Sequence, residues 1–203
     1  MEQKLAQTIS YIFHPVLMSF YAIAYLLSID VFFINGMPLY GKTMLLLLAL
    51  LTTVVLPLFL MLIYKRLGWI SDFHLHDSKE RKLPLLTMGF SLLAMGIMLQ
   101  QLQIPAVFNL FYLAAAILTV ILMVINNFWK VSLHTSAIGG TTGAFFALAL
   151  QTGVDFLYPL MVLVLLGGIV AYARLKLKSH NEAQVYSGFI VGFIMVFSPL
   201  YFL

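Results

Sequence analysis

The sequence predicts an all-α membrane protein, a polytopic transmembrane bundle of six to seven spans with seven favoured, forming one domain over residues 1–203. Hydrophobic residues make up 63% of the chain, charged residues only 9%, and the mean hydropathy is +1.03, a profile that excludes a soluble domain. Several apolar runs reach the roughly 17 to 25 residues that about 30 Å of hydrocarbon requires. No repeat, low-complexity tract or long linker divides the chain. Cysteine is absent, which excludes a disulfide framework and a thiolate metal site.

Reading apolar runs against their polar breaks places the helices in order. The first is expected over 11–34. Its leader, MEQKLAQTISYIF, runs into an apolar stretch too long for a signal peptide and lacks a small-residue cleavage site, so it reads as an uncleaved first span. His14, in FHPV, precedes a proline at the helix start and reads as structural. The second span is expected over 43–64, after the turn INGMPLYGK, and the third over 84–102. The break QQLQIPAV introduces the fourth, over 106–126; the fifth follows over 134–151, the sixth over 156–173 and the seventh over 185–203. The third and fifth carry Gly89, Gly96, Gly139, Gly140 and Gly143, small residues that let helices approach closely. Scattered methionines read as packing or lipid-facing side chains.

Seven spans place segments 65–83, 127–133 and 174–184 on one side of the membrane with the N-terminus. Of the 11 basic residues, Lys4, Lys65, Arg66, Lys79, Arg81, Lys82, Lys130, Arg174, Lys176 and Lys178 fall on that side, and Lys42 alone on the other. The positive-inside rule makes that side cytoplasmic, and setting aside Lys79, Arg81 and Arg174 leaves the bias intact. All five histidines, His14, His74, His76, His134 and His180, share that face.

Histidines and guanidinium groups gathered at one membrane face suggest phosphate chemistry. Arginine offers a planar fork of donors to phosphate oxygens, and a neutral imidazole attacks phosphorus or passes a proton to a leaving oxygen. LHTSAIGG opens the fifth helix and SHNEAQVYSG the seventh, so His134 and His180 sit where orphan N–H groups and a positive dipole end favour an anion.

These segments resemble the type-2 phosphatidate phosphatases and their vanadium-haloperoxidase relatives, whose motifs are K-x6-R-P, P-S-G-H and S-R-x5-H-x3-D. ARLKLKSHNEAQ matches the third motif at Arg174 and His180, VSLH the second at Ser132 and His134, and HLHDSKERKLP the first at Arg81. The resemblance implies a helical bundle with His180 as the nucleophile that forms a phosphohistidine and His134 as the acid for the leaving group. It implies Arg81 and Arg174 as a phosphate clamp, with Lys79 and Ser132 as further substrate-binding residues. It implies no metal and no cofactor; the partners are a lipid phosphate or isoprenyl diphosphate substrate and membrane lipids, not nucleic acid.

Departures from the family pattern are specific. His74 stands at the motif lysine, Lys82 at the proline with Pro84 two further on, Val131 and Leu133 in place of proline and glycine, and Ala173 in place of serine. Gln184 replaces the aspartate that orients the nucleophilic imidazole; it accepts a hydrogen bond but brings no charge. Asp72, Asp77 or Glu182 substitutes only if the fold brings one there.

Plainer readings stand beside these. Lys176 and Lys178 read as topology signals or contacts with anionic headgroups. His74 and His76 read as loop residues, although FHLHD with His134 and His180 also allows an imidazole–carboxylate metal site. A non-catalytic descendant that binds or moves a phospholipid through the same groove is the alternative function. A small-solute transporter lacks its usual marks, mid-span ionisable residues and interrupted helices in repeated halves.

Overall fold

The computed structural model describes residues 1–29, 32–71 and 80–202, and every regular element among them is helical. In chain order these are α1 (Glu2–Ile12), α2 (Pro15–Ser28), α3 (Phe32–Asn35), α4 (Leu39–Leu50), a π-helical turn (Leu51–Val55), α5 (Leu56–Arg66) and α6 (Lys82–Gln101). Then follow α7 (Ala106–Ile125), α8 (Leu133–Thr152), α9 (Leu157–Lys176) and α10 (Glu182–Tyr201).

The first span expected over 11–34 is shorter, α2 from Pro15 to Ser28 with α3 after it, and it is preceded by a separate helix, α1, bent from it by 59°. Proline is the cause. Pro15 forces the residue before it out of the helical region, and His14 is extended at φ −65°, ψ 139°. Its ring Nδ1 then accepts the Val16 N–H at 3.3 Å, capping α2 as the structural reading of His14 expected. Helix α1 is amphipathic and packs on α9, with Ala6 and Ser10 buried and Glu2 paired to Lys176 at 2.5 Å on its outer side.

Helices α4 and α5 run on through the π-turn as one 28-residue unit, Leu39–Arg66, longer than the expected 43–64. Pro57 has no N–H to donate into the preceding turn, and the backbone widens just upstream of it.

Among the described residues, five helices are long and apolar enough to cross a membrane, or six if the bent α1–α2 pair is one span. Leu47, Phe59, Phe90, Val120 and Leu165 are exposed on these helices, as lipid-facing side chains would be. Helix α8 also has 20 residues but is not among the apolar five. It is too polar for that because it is wrapped by protein: α2, α7, α9 and α10 pack on it. Two of its buried hydroxyls bond back along the chain, Ser136 donating to Ser132 O at 2.9 Å and Thr142 to Ile138 O at 2.8 Å.

Helices α8 and α10 touch backbone to backbone, as the fifth-span glycines predict. A Cβ at Gly139 would lie 2.1 Å from the Phe189 carbonyl oxygen, and one at Gly192 would lie 2.0 Å from that of Ser136. Only glycine permits this approach. At the end of this seam Ser132 N donates to Gln184 O at 3.1 Å, and Thr135 Oγ1 to Val185 O at 2.9 Å. The loops that precede α8 and α10 are thereby held in fixed relation.

Candidate phosphate-type site

The end of α9 sets up the site. The Leu177 N–H returns to Ala173 O and the Ser179 N–H to Arg174 O, while Lys178 takes φ 52°, a left-handed turn that reverses the chain. His180 follows immediately, and Asn181 begins α10 with a reciprocal cap. Asn181 Oδ1 accepts the Gln184 N–H at 2.9 Å, and Gln184 Oε1 accepts the Asn181 N–H at 3.2 Å.

His180 is 8% exposed. Its Nδ1 lies 3.2 Å from Lys130 O and 3.2 Å from Gln184 Oε1, two oxygens that can only accept. The neutral ring therefore carries its proton on Nδ1, and Nε2 keeps its lone pair. Burial, followed by the positive charges of Arg174 and Arg81, holds the imidazole down at about 4, so it is neutral at pH 7.

His134 sits in the first turn of α8. Its Nε2 lies 3.1 Å from Ser10 O, again an acceptor only, which puts the proton on Nε2 and leaves Nδ1 basic. The edge of its ring meets His14, centroids 5.4 Å apart at 81°. Arg174, in the last turn of α9, reaches Ser10 Oγ with Nη1 at 3.3 Å; its Nε is buried and makes no hydrogen bond among the described residues. Arg81 begins α6, is 4% exposed, and its guanidinium lies below the ordinary value through burial. Its charge is felt at both Arg174 and His180.

His180, His134, Arg174, Arg81 and Gln184 therefore gather at one end of the bundle. Two cations and two neutral imidazoles there suit a multiply charged anion with a reacting centre between the rings. Ser132 takes a different place: its hydroxyl accepts the Thr135 N–H at 3.5 Å as the α8 cap, and its side chain is fully buried. Lys176 turns outward to Glu2, and Lys178 is exposed. Glu182 is exposed in the first turn of α10, and it is Gln184 that meets the His180 ring. Lys79, Asp72 and Asp77 lie outside the described residues, as do His74 and His76, on which the metal alternative depends.

Sequence reading missed Ser10. Its hydroxyl holds Arg174 and its carbonyl holds His134, so α1 closes one side of the cluster. Nothing in the local sequence marks it, because the contact depends on the bend at Pro15 folding α1 onto α9. No family model matches this chain, and no curated protein or solved structure does.

Proposed function

We propose that this protein is an integral membrane phosphatase, a divergent member of the type-2 phosphatidate phosphatase group. It removes the terminal phosphate of a lipid phosphate or isoprenyl diphosphate through a histidine nucleophile, with no metal or cofactor. The observation that carries the reading is the presentation of His180: a buried, neutral imidazole with Nδ1 held by two acceptors, beside Arg174 and Arg81.

In this reading the arginines hold the phosphate oxygens while His180 Nε2 attacks phosphorus and the bond to the leaving oxygen breaks. With the anionic head bound beside it, His134 takes a proton from water on Nδ1 and gives that proton to the leaving oxygen. Water then attacks the phosphohistidine, His134 takes its proton, and orthophosphate leaves as the P–N bond breaks. The Gln184 carbonyl keeps the imidazole oriented through both steps. A substrate with an anionic head and an apolar tail suits a site at a bilayer boundary, since the tail stays in apolar surroundings.

The corresponding topology has seven spans: the bent α1–α2 pair, α4–α5, and α6 to α10, with α8 shielded by protein. The excess of basic side chains at that end supports a site and N-terminus at the cytoplasmic face of an inner or cytoplasmic membrane.

Gln184 favours a second reading. Its amide offers no charge to stabilise an imidazolium, as a non-catalytic descendant that binds or moves a phospholipid would tolerate. Orthophosphate release separates the two. Purified protein is given phosphatidate, phosphatidylglycerophosphate, sphingoid phosphate and isoprenyl phosphates without added metal, beside His180→Ala. Release that vanishes in the variant supports the phosphatase; binding without release from any substrate supports the alternative.

A further inference from the structure

A cavity of about 90 Å³ opens inside the bundle between α2, α6, α7 and α8. Its walls are largely apolar, with Met18, Leu92, Phe111 and Leu118 among them. One edge is lined by chain neighbours of the site residues. Leu133 precedes His134, the Leu85 N–H bonds to Arg81 O at 3.0 Å, and Pro15 follows His14, whose ring meets His134, so two lining residues adjoin members of the polar cluster and a third adjoins a residue packed on it.

The polar groups in the wall are unequal. Thr119 donates its hydroxyl to Ala115 O at 2.7 Å and Thr141 to Ala137 O at 3.1 Å, both within their own helices. Ser19 is 7% exposed, and its hydroxyl has no hydrogen-bond partner among the described residues. A buried hydroxyl without a partner is unfavourable unless something else supplies an acceptor.

We propose that this cavity receives the head-proximal carbons of one apolar chain of a phosphate-bearing amphiphile, with Ser19 donating to an oxygen in the link between head and chain. The proposal rests on the phosphate reading of the adjoining cluster and adds the substrate's shape: a single-chain phosphate amphiphile. Size decides against two chains, because apolar cavities of roughly 150 Å³ are what accept a benzene ring, and this one is smaller. A linear chain enters end on; a diacyl pair does not. The nearness of Leu133 to His134 and of Leu85 to Arg81 decides the direction, head toward Arg81 and Arg174 and chain toward Phe111.

The test is occupancy, read without turnover. The full chain in detergent micelles is irradiated with a single-chain alkyl phosphate carrying a diazirine three or four carbons from the phosphate, and labelled peptides are mapped by mass spectrometry. Label in segments 15–19, 85–92 or 111–119, reduced at least tenfold by Ala137→Phe in the cavity wall, is the expected result. Label confined to the outer faces of α4–α5 and α9 in the wild-type protein overturns the proposal, even if Ala137→Phe fails to fold. A chain that releases phosphate yet shows no cavity label loses this inference and keeps the phosphatase reading. Cavity label without phosphate release does the reverse.

Discussion

Gln184 Oε1 meets His180 Nδ1 at 3.2 Å and, at the same distance, the N–H of Asn181. One side-chain oxygen therefore both orients the candidate nucleophile and closes the N-terminal cap of α10. Changing residue 184 accordingly touches chemistry and helix stability together, and the substitutions that separate them are informative.

Gln184→Asp keeps an acceptor at the third position of α10 and adds a charge beside the imidazole. It is expected to raise turnover about tenfold or more if the site is a weakened enzyme, since a carboxylate stabilises the imidazolium that forms. Gln184→Ala is expected to lower turnover by at least a similar factor and to cost about 1 kcal/mol from the lost cap. Steady-state kinetics with thermal melting of both variants checks the pair.

The depressed state of His180 fixes the direction of a pH effect. Its folded value is about 4, against roughly 6.5 when unfolded, so between those limits the unfolded chain binds more protons. Stability should rise as pH increases from 4 to 6.5 and be lost as pH falls back through that window. His180→Gln should flatten that part of the melting-temperature profile. With His180 as nucleophile, the acid limb of kcat/KM should also fall near pH 4, well below the ordinary imidazole range. In Gln184→Asp that limb should move upward, because the carboxylate favours the protonated ring.

Much of this arrangement is legible in the sequence, and the parts that are not have identifiable physical causes. Arg174 and His180, separated by five residues, are legible as a pair because the α9 end and the α10 cap are both local. The glycines of α8 announce close packing, although not that α10 supplies the opposing backbone. The expected first span starts too early and misses α1 as a separate helix, because continuous hydropathy from Tyr11 onward outweighs the single break that His14–Pro15 imposes. Ser10 was invisible for the same reason. Ser132 carries the motif's residue type, yet here it caps α8, a role that residue type alone does not distinguish from contact with an anion.

The α8–α10 seam makes a stability prediction with a built-in control. Gly192→Ala puts a Cβ against the Ser136 carbonyl, where backbone cannot yield, and should cost roughly 3 kcal/mol or more. Gly168→Ala, in α9 with open space at its Cβ, should be neutral or stabilise by up to about 1 kcal/mol. Thermal melting in one detergent compares them, and the seam account requires Gly192→Ala to melt well below Gly168→Ala.

Lys178 is an exposed non-glycine residue in the left-handed region, on the turn that delivers His180. Lys178→Gly should stabilise by about 1 kcal/mol by relieving that conformation, whereas Lys178→Val should destabilise. Both effects should appear in melting temperature, with Lys178→Gly leaving phosphate release unchanged.

The central claim is that His180 Nε2 is the group that bonds to phosphorus. Its most direct measurement is rapid quenching in alkaline detergent of the full chain mixed with a lipid substrate labelled in its terminal phosphate, followed by mapping of any base-stable phosphohistidine. Label on the peptide containing His180, absent in His180→Ala, is the expected result. Orthophosphate release that persists in His180→Ala, or turnover with the label on another residue, would contradict the account.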